Sequence, residues 1–376
     1  MEFDIILYIL SANLIDSMLR CKIYASDEGY GHLVRQQAIA EALSALQPDI
    51  EFDLQTRNQA DAASWLFPKA NVIRRFNNII WPRSESGSPN LEQTKIFYED
   101  YIERSITFMQ EEDLSQSYKF ILSDLVYEAF GIAKQTNTPA FGICHFTWDW
   151  FFSKLYPLPV QRHVIEHMQK LATHATKLYF SEFTPPDLIQ HYRKQCIVHP
   201  LIVRKQYKSN ITAGNKFKVL LMDSGANVLA TSIRNAIEQL PSLPDIQFFI
   251  HENYAVQADN ITLMPANVPI IDYLQHMDLV ISRGGFNTIS ECIAWRVPLL
   301  LISEHMNPEV ERNLFCVKQQ GLGSFTSLDK FEHRFSSTLQ HFIDGEYDQI
   351  KHNMASHAIR TDGADVVAAS ILDQIL

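Results

Sequence analysis

Short apolar segments alternate with segments of helical period along most of this chain, and this alternation constrains the fold more than any other feature. The first unit is an apolar string over 21–25, a glycine-bearing loop over 27–32 and a helical stretch over 33–46. Similar units follow up to about position 186, and a second series begins at 218. Strands that alternate with helices in this way predict parallel sheets covered by helices on both faces.

The chain has 376 residues, enough for two domains that each bury a core. A polar segment over 207–216 separates the two series of units. We predict an α/β protein with a Rossmann-like domain over 18–206, a linker over 207–216 and a second Rossmann-like domain over 217–376 that includes a terminal helix. Doubly wound sheets bind ligands at the carboxyl ends of their strands, so a shared cleft should lie between the two domains.

Residues 1–17 precede the first predicted strand, and we expect an extension outside the core or a misassigned start. The apolar run at 5–10 is too short to span a bilayer, and no basic residue precedes it. An interfacial anchor is the alternative, which leaves peripheral membrane contact open.

Charge and cysteine content argue against several classes of protein. Lys and Arg number 32 against 43 Asp and Glu, and the formal net charge of −11 is unsuited to neutralising nucleic-acid phosphates. The five cysteines are isolated, with neither a CxxC pair nor a Cys/His cluster at zinc spacing. We therefore expect a cytoplasmic protein with reduced thiols, no metal site and no nucleic-acid partner.

The loop after the first strand carries two glycines and a histidine. Gly29 and Gly31 let the backbone turn sharply and approach a ligand, and His32 lies at the start of the next helix. A neutral imidazole there can take a proton from a hydroxyl, and Asp124, at the end of another strand of the same sheet, can hold its tautomer. His32 and Asp124 are therefore candidate catalytic residues. The alternatives are a capping histidine in a tight turn and an aspartate that caps the following helix.

The strongest local pattern lies late in the chain, where a predicted strand leads into Gly284-Gly285-Phe286-Asn287-Thr288 and a helix. Backbone N–H groups and the positive dipole end of such a helix suit a diphosphate without a metal. Glu291 lies one turn further, where its carboxylate can accept hydrogen bonds from a ribose diol. The competing interpretation is a capping box of Thr288 and Glu291, which needs no ligand.

Two more loops of the second domain follow predicted strands. Ser224 and Gly225 precede its first helix, so a second helix N-terminus can converge on the same anion, although a purely structural turn is equally compatible. Glu309 belongs to a polar cluster suited to sugar hydroxyls, or it forms a surface pair with Arg312.

In the first domain, the segment 145–150 mixes aromatic and polar residues after a predicted strand. His145 and Trp148 suit stacking on a sugar ring or an acceptor. Packing in the core is the alternative for aromatic residues in such a segment.

Together these motifs resemble the GT-B glycosyltransferases, particularly the branch containing the bacterial lipid-intermediate N-acetylglucosaminyltransferase. The resemblance rests on the motifs at 29–32 and 284–291 and runs from about Lys22 to the C-terminus. Further segments, at 71–101, 145–152, 307–314 and 362–369, are similar to the glycosyltransferase-like module at the front of some bacterial and plant arabinokinases.

The resemblance implies a GT-B fold that holds a nucleoside diphosphate-sugar, most often a UDP-sugar, mainly on the second domain. It implies inverting displacement at the anomeric carbon, with His32 as base on an acceptor hydroxyl and no bound metal or other cofactor. The lipid-intermediate transferase carries a glutamine pair where this chain has Glu309-Val310, so the donor sugar is not implied. The implied donor-binding residues are Ser224, Gly225, Asn267, Val268, Gly284, Gly285, Phe286, Asn287, Thr288, Glu291 and Glu309, and the acceptor-side residues are Gly29, Gly31, His145 and Trp148.

The predicted function is a metal-independent glycosyltransferase whose partners are a nucleotide-sugar and an acceptor that the sequence does not identify. Two alternatives stay open at this point. A sensor or regulatory module would bind the nucleotide-sugar without transferring the sugar, and a 2-epimerase would convert the nucleotide-sugar without any acceptor.

Overall fold

Two parallel sheets, one in each half of the chain, form the framework of the molecule. The computed structural model describes residues 19–76, 79–83, 90–155, 160–205, 215–223, 229–254, 256–265, 270–303 and 306–376. The predictions for residues 1–17 and for most of the linker over 207–216 fall outside these ranges. The predicted pair of doubly wound α/β domains is confirmed.

The first domain alternates strands and helices from its first described strand onward. Its strands are β1 (Arg20–Ala25), β2 (Glu51–Gln55), β3 (Asn71–Ile73), β4 (Phe120–Asp124), β5 (Ala140–Cys144), β6 (Lys177–Ser181) and β7 (Cys196–His199). Its helices are α1 (Tyr30–Leu46), α2 (Ala60–Leu66), α3 (Leu91–Gln110), α4 (Glu128–Thr136), α5 (Trp148–Ser153), α6 (Gln161–Ala172) and α7 (Pro186–His191).

The strands of the first sheet are arranged in the order β3-β2-β1-β4-β5-β6-β7. Apolar side chains on both faces of the central strands pack into two separate clusters, one on each side of the sheet. The order of strands reverses between β1 and β4, and Ala25 pairs with Asp124 at their carboxyl ends. Such a reversal opens a crevice beyond the strand ends, which is where doubly wound sheets bind ligands.

The second domain repeats this design. Its strands are β8 (Phe217–Met222), β9 (Ile246–His251), β10 (Ile261–Met264), β11 (Leu279–Arg283), β12 (Leu299–Ser303) and β13 (Gly323–Ser327). Its helices are α8 (Ala230–Ile237), α9 (Ile271–Leu274), α10 (Phe286–Trp295), α11 (Pro308–Gln319), α12 (Leu328–His333), α13 (Phe335–Gly345) and α14 (Tyr347–Ser356). The sheet order, β10-β9-β8-β11-β12-β13, reverses between β8 and β11, so the loop that begins at Gly284 leaves the sheet at its crevice.

The terminal helix, α15 (Gly363–Ile375), forms as predicted, but its packing differs from the prediction. It packs against the first domain, whereas the sequence assigns it to the second. Val367 and Ile371 are fully buried against the apolar cluster that contains α1. Each such side chain stabilises the contact by about 1.5–3 kcal/mol. A glycine is required where α15 begins, because a Cβ at Gly363 would lie 2.1 Å from the Pro200 carbonyl oxygen.

Within the described ranges, none of the helices combines the length and the apolar character needed to cross a bilayer.

Candidate active site

The crevices of the two sheets face each other across a cleft of about 680 Å³. Most of the sequence-predicted site residues line it, so the two glycine loops lie on one cleft. The predicted residues that line the cleft are Gly29, Gly31, His32, His145, Gly285, Phe286, Asn287, Thr288, Glu291 and Glu309.

His32 and Asp124 form the central pair on the first-domain side. Gly29 is the N-cap residue of α1, so His32 occupies the third helical position and is not itself the cap. Its Nδ1 lies 2.7 Å from Oδ1 of Asp124, which is completely buried. Since an ionised carboxylate can only accept, Nδ1 carries the proton and the ring lone pair is on Nε2. This is the geometry that a general base held by a carboxylate requires.

Asp124 is fixed by its neighbours rather than used as a helix cap. Tyr127 is the N-cap residue of α4, whereas both oxygens of Asp124 accept hydrogen bonds from α1, at 2.5 and 2.9 Å from Arg35 and 3.1 Å from Gln36. Burial alone would raise the pKa of this carboxyl, but the charge of Arg35 and the hydrogen bonds from Arg35 and His32 hold it below its ordinary value. Leu125 follows with a left-handed φ of 60°, a conformation that costs a non-glycine residue about 1–2 kcal/mol.

His145 joins the two domains. Its Nε2 lies 2.9 Å from Oε1 of Glu309 on α11, and its ring stacks on Phe286 of α10 with centroids 4.1 Å apart. Burial lowers the pKa of the imidazole despite the bond to Glu309, so the ring is neutral near pH 7. Burial would raise the pKa of Glu309, but the hydrogen bond from His145 and the charge of Arg283 lower it to about 2. A neutral ring therefore donates to an ionised carboxylate.

The second-domain loop presents a helix N-terminus to the cleft. Gly285 is the N-cap residue of α10, so Thr288 lies inside the helix, which does not fit the capping-box interpretation. Glu291 instead accepts a hydrogen bond of 2.8 Å from Nε of Arg204, and both side chains are buried. The Asn287 side chain donates to the Gly31 carbonyl of the opposite domain. Helix N-termini of this kind bind phosphate groups through their N–H groups and dipole.

A larger residue at Gly31 would displace the Asn287 side chain from this contact. A Cβ there would lie 2.6 Å from Nδ2 of Asn287, closer than side-chain atoms approach each other in proteins. Gly284 lies just behind the cleft, where its carbonyl accepts a hydrogen bond of 2.9 Å from the Asn313 side chain. The surface pair considered between Glu309 and Arg312 does not form, because Arg312 donates to the carbonyl of Phe183 instead.

The acceptor-side prediction for Trp148 is not supported by its position. Its side chain is buried in an aromatic cluster with Phe151 and Phe152, away from the cleft. The aromatic surface that the prediction sought is provided instead by Tyr30 and Trp65, whose rings lie 6.3 Å apart at the cleft. Four predicted donor residues, Ser224, Gly225, Asn267 and Val268, lie outside the described ranges, so their predictions stay predictions.

Two charged residues of the site were not predicted. Arg35 holds Asp124, and Arg204 holds Glu291. The first could have been found, because positions i, i+3 and i+4 share one helix face, which places Arg35 and Gln36 beside His32. Arg204 lies near the end of the first domain, and its partner is 87 positions away, so nothing in its local sequence indicates the pairing.

A known domain family matches most of the second domain. The model of the glycosyltransferase family 28 C-terminal domain matches residues 238–366. This stretch contains the loop at 284–291 and Glu309, and thus most of the described donor side of the cleft.

Two curated proteins named uncharacterized glycosyltransferase are similar to the chain. The one from Methanosarcina mazei is 25% identical over 131 residues, which cover 33% of this chain and 35% of the relative. The one from Methanosarcina acetivorans is 24% identical over 225 residues, which cover 54% of this chain and 57% of the relative. The matched regions thus span between about a third and just over half of these relatives.

Solved structures resemble the chain over nearly its whole length. A UDP-glucosyltransferase from Polygonum tinctorium capable of glucosylating indoxyl has a TM-score of 0.66 at 15% identity, covering 95% of this chain and 98% of the other. The spinosyn rhamnosyltransferase SpnG complexed with thymidine diphosphate has a TM-score of 0.63 at 15% identity, covering 94% and 100%. The chain therefore has the GT-B fold of glycosyltransferases, and its second domain resembles the C-terminal domain of glycosyltransferase family 28.

Proposed function

We propose that this protein is a glycosyltransferase that moves a sugar from a nucleoside diphosphate-sugar, a UDP-sugar in the first instance, to an acceptor hydroxyl with inversion and without a metal. The observation that carries the proposal is the position of the His32–Asp124 pair, which faces the N-terminus of α10 across one cleft. A base on one wall and an anion-binding helix end on the other are the two groups that such a displacement needs.

In the proposed reaction, Nε2 of His32 takes the proton of the acceptor hydroxyl while the acceptor oxygen bonds to the anomeric carbon. The bond from that carbon to the diphosphate oxygen breaks, and its electron pair leaves with the diphosphate. Backbone N–H groups at 285–288 would stabilise the developing charge. Asp124 would stabilise the imidazolium that forms on His32.

The donor would lie mainly on the second domain, with the ribose at Glu291 and the sugar near Glu309. Both carboxylates line the cleft and accept hydrogen bonds from protein side chains. They can accept hydrogen bonds from ribose or sugar hydroxyls in the same way. The acceptor would enter beside His32, His145 and the Tyr30–Trp65 pair. The family 28 match and the nucleotide-dependent neighbours support a nucleotide-sugar donor. A lipid-intermediate or arabinokinase-type branch stays a prediction, and the proposal does not depend on it.

Calorimetry of UDP, GDP and dTDP binding in the presence of a chelator tests the donor site. We expect micromolar binding of UDP that weakens by about 1–3 kcal/mol in Glu291→Ala, because a charged hydrogen-bond partner of the ribose is lost. The control is Glu332→Ala, since Glu332 accepts a hydrogen bond from Ser232 and does not line the cleft. If none of the three nucleotides binds the native protein, the donor-site assignment is wrong.

A further inference from the structure

A chain of hydrogen bonds runs from the proposed base to the opposite domain. His32 contacts Asp124, and Nε and Nη2 of Arg35 donate to the two oxygens of that carboxylate. The third guanidinium nitrogen, Nη1, lies 3.0 Å from Nδ1 of His145. His145 in turn contacts Glu309 on the second domain through its other ring nitrogen. Five side chains, from α1, β4, α11 and the loop after β5, are thus connected in one line.

The donors and acceptors in this line are fixed by their chemistry. A guanidinium can only donate, so Nδ1 of His145 must accept from Arg35. The proton of the neutral ring is then on Nε2, where it is donated to the Glu309 carboxylate. The two contacts of His145 require the same tautomer, so each of them favours the other.

Arg35 also changes the electrostatics of the base. Its guanidinium is buried, makes two hydrogen bonds to Asp124 and brings Nη2 to 3.5 Å from Nδ1 of His32. An aspartate that served His32 alone would strongly favour the imidazolium. Because Arg35 shares the negative charge of Asp124, that stabilisation of the imidazolium is reduced, which favours the neutral ring that a base needs before it takes a proton.

We propose that Arg35 is a positioning residue of the base, which holds Asp124 against His32, limits the proton affinity of His32, and is itself held by the second domain through His145 and Glu309. The proposal rests on the proposed function only in taking His32 as the base. Its consequence is that the base is fully ordered only when the two domains are in contact at Glu309.

Other ionisable groups also face this region and have to be considered with Arg35. Glu28 of the glycine loop and Glu309 interact electrostatically with His32, and His145 bonds to Glu309. Cys144 at the end of β5 and Arg283 at the end of β11 act on Arg35 and Glu309 respectively. Among these groups, Arg35 is the one cation bonded directly to Asp124 in the described residues, so its removal should change the titration of His32 most.

The test is the titration of His32 in the ligand-free protein, followed by NMR on histidine labelled with ¹³C at Cε1. His32→Gln identifies its signal by loss. In Arg35→Gln we expect the midpoint to rise by about 1 pH unit or more, since the full charge of Asp124 then acts on His32. Arg35→Lys, which keeps the charge but not the planar fork, should give a smaller rise and covers the case in which Arg35→Gln does not fold. Arg204→Gln, which removes another buried arginine at the cleft, should leave the midpoint unchanged.

The link to the second domain is tested by Glu309→Gln and Glu309→Ala. Both remove the negative charge, but only glutamine keeps an oxygen that accepts from Nε2 of His145. Arg35 still donates to Nδ1 in both variants, so we expect the Nε2–H tautomer of His145 to persist in Glu309→Gln and to be less populated in Glu309→Ala. Equal populations of this tautomer in the two variants would overturn the role of the second domain.

An unchanged or lower His32 midpoint in both folded Arg35 variants would overturn the proposal for Arg35. These titrations need no substrate, so they separate this proposal from the proposed function. The expected shifts in a protein that binds no nucleotide would leave the Arg35 proposal standing and end the transferase proposal. Where turnover is measurable, the acid limb of its pH profile should move upward in Arg35→Gln by the same amount.

Discussion

The two walls of the cleft are built in different ways. On the first-domain wall, His32, Asp124 and Arg35 bond mainly to one another and come from elements of one sheet. On the second-domain wall, the described polar side chains at α10 and α11 reach outward: Glu291 to Arg204 and Glu309 to His145. Under the proposed function, the first wall is preassembled for proton transfer, whereas the second has to exchange protein partners for ligand atoms. This difference predicts that changes in the first wall affect turnover and stability, and changes in the second affect binding.

The largest expected effect is that of Asp124→Asn. The substitution leaves the buried Arg35 without its anionic partner, which should lower the free energy of unfolding by about 3–5 kcal/mol. Turnover should fall by about 10²–10⁴-fold, because His32 loses the acceptor that fixes its tautomer. Denaturant unfolding and assays below the unfolding transition measure the two effects separately.

Asp149→Asn is the matched control for this substitution. Asp149 is also a buried aspartate of the first domain, but it accepts hydrogen bonds from Tyr127, Tyr192 and Gln169 and does not line the cleft. Asp149→Asn should lower the free energy of unfolding by about 1–3 kcal/mol without changing turnover. Equal losses of turnover in the two variants would mean that Asp124 acts only through folding.

Acid should weaken the His145–Glu309 contact between the two walls, because it protonates Glu309. The pKa of Glu309 in the folded protein is about 2, below its ordinary value of 4.5. Its contribution to stability is therefore complete above about pH 4.5 and is lost as the pH falls toward 2, by roughly 1–3 kcal/mol. Unfolding free energies measured between pH 6 and pH 3 should decline more steeply in the native protein than in Glu309→Gln. Parallel curves would contradict the assigned hydrogen bond from His145 to an ionised Glu309.

The smallest expected effect concerns Arg204. In the ligand-free protein its guanidinium partners Glu291, so a ribose has to share or displace it. Arg204→Met leaves Glu291 without this partner until the nucleotide arrives, and UDP should bind about five-fold more tightly, or about 1 kcal/mol. Calorimetry measures the change. Weaker binding would show that Arg204 itself contacts the nucleotide.

The same contrast explains how much could be predicted from the sequence. The central strands and both glycine loops were predictable, because buried parallel strands are continuous apolar runs and the glycines follow them directly. Strands such as β3 and β7, at the edges of the first sheet, have only three and four residues and are partly exposed, so they lack that signal. The helical period of 364–375 indicates an apolar face but does not indicate which domain covers it.

The site residues were likewise predictable where the signal is local and not where it depends on distant contacts. His32, Glu291 and Glu309 were predictable because each lies within the first two turns of a helix that follows a strand, near the carboxyl ends where ligands bind. Arg204 was not, because its role depends on a contact between distant segments. Trp148 was placed wrongly for a related reason: its segment does reach the cleft at His145, but its own side chain turns into the core.

The most direct test of the account compares nucleotide release from UDP-sugars by the native protein, His32→Gln and Glu291→Ala, with a mixed acceptor set and a chelator present. We predict that His32→Gln keeps the native affinity for UDP but loses turnover by about 10²–10⁴-fold, whereas Glu291→Ala mainly raises the KM for the donor. If His32→Gln turns over at the native rate, or if both variants lose UDP binding equally, the division of the cleft into a proton-transfer wall and a donor-binding wall is contradicted.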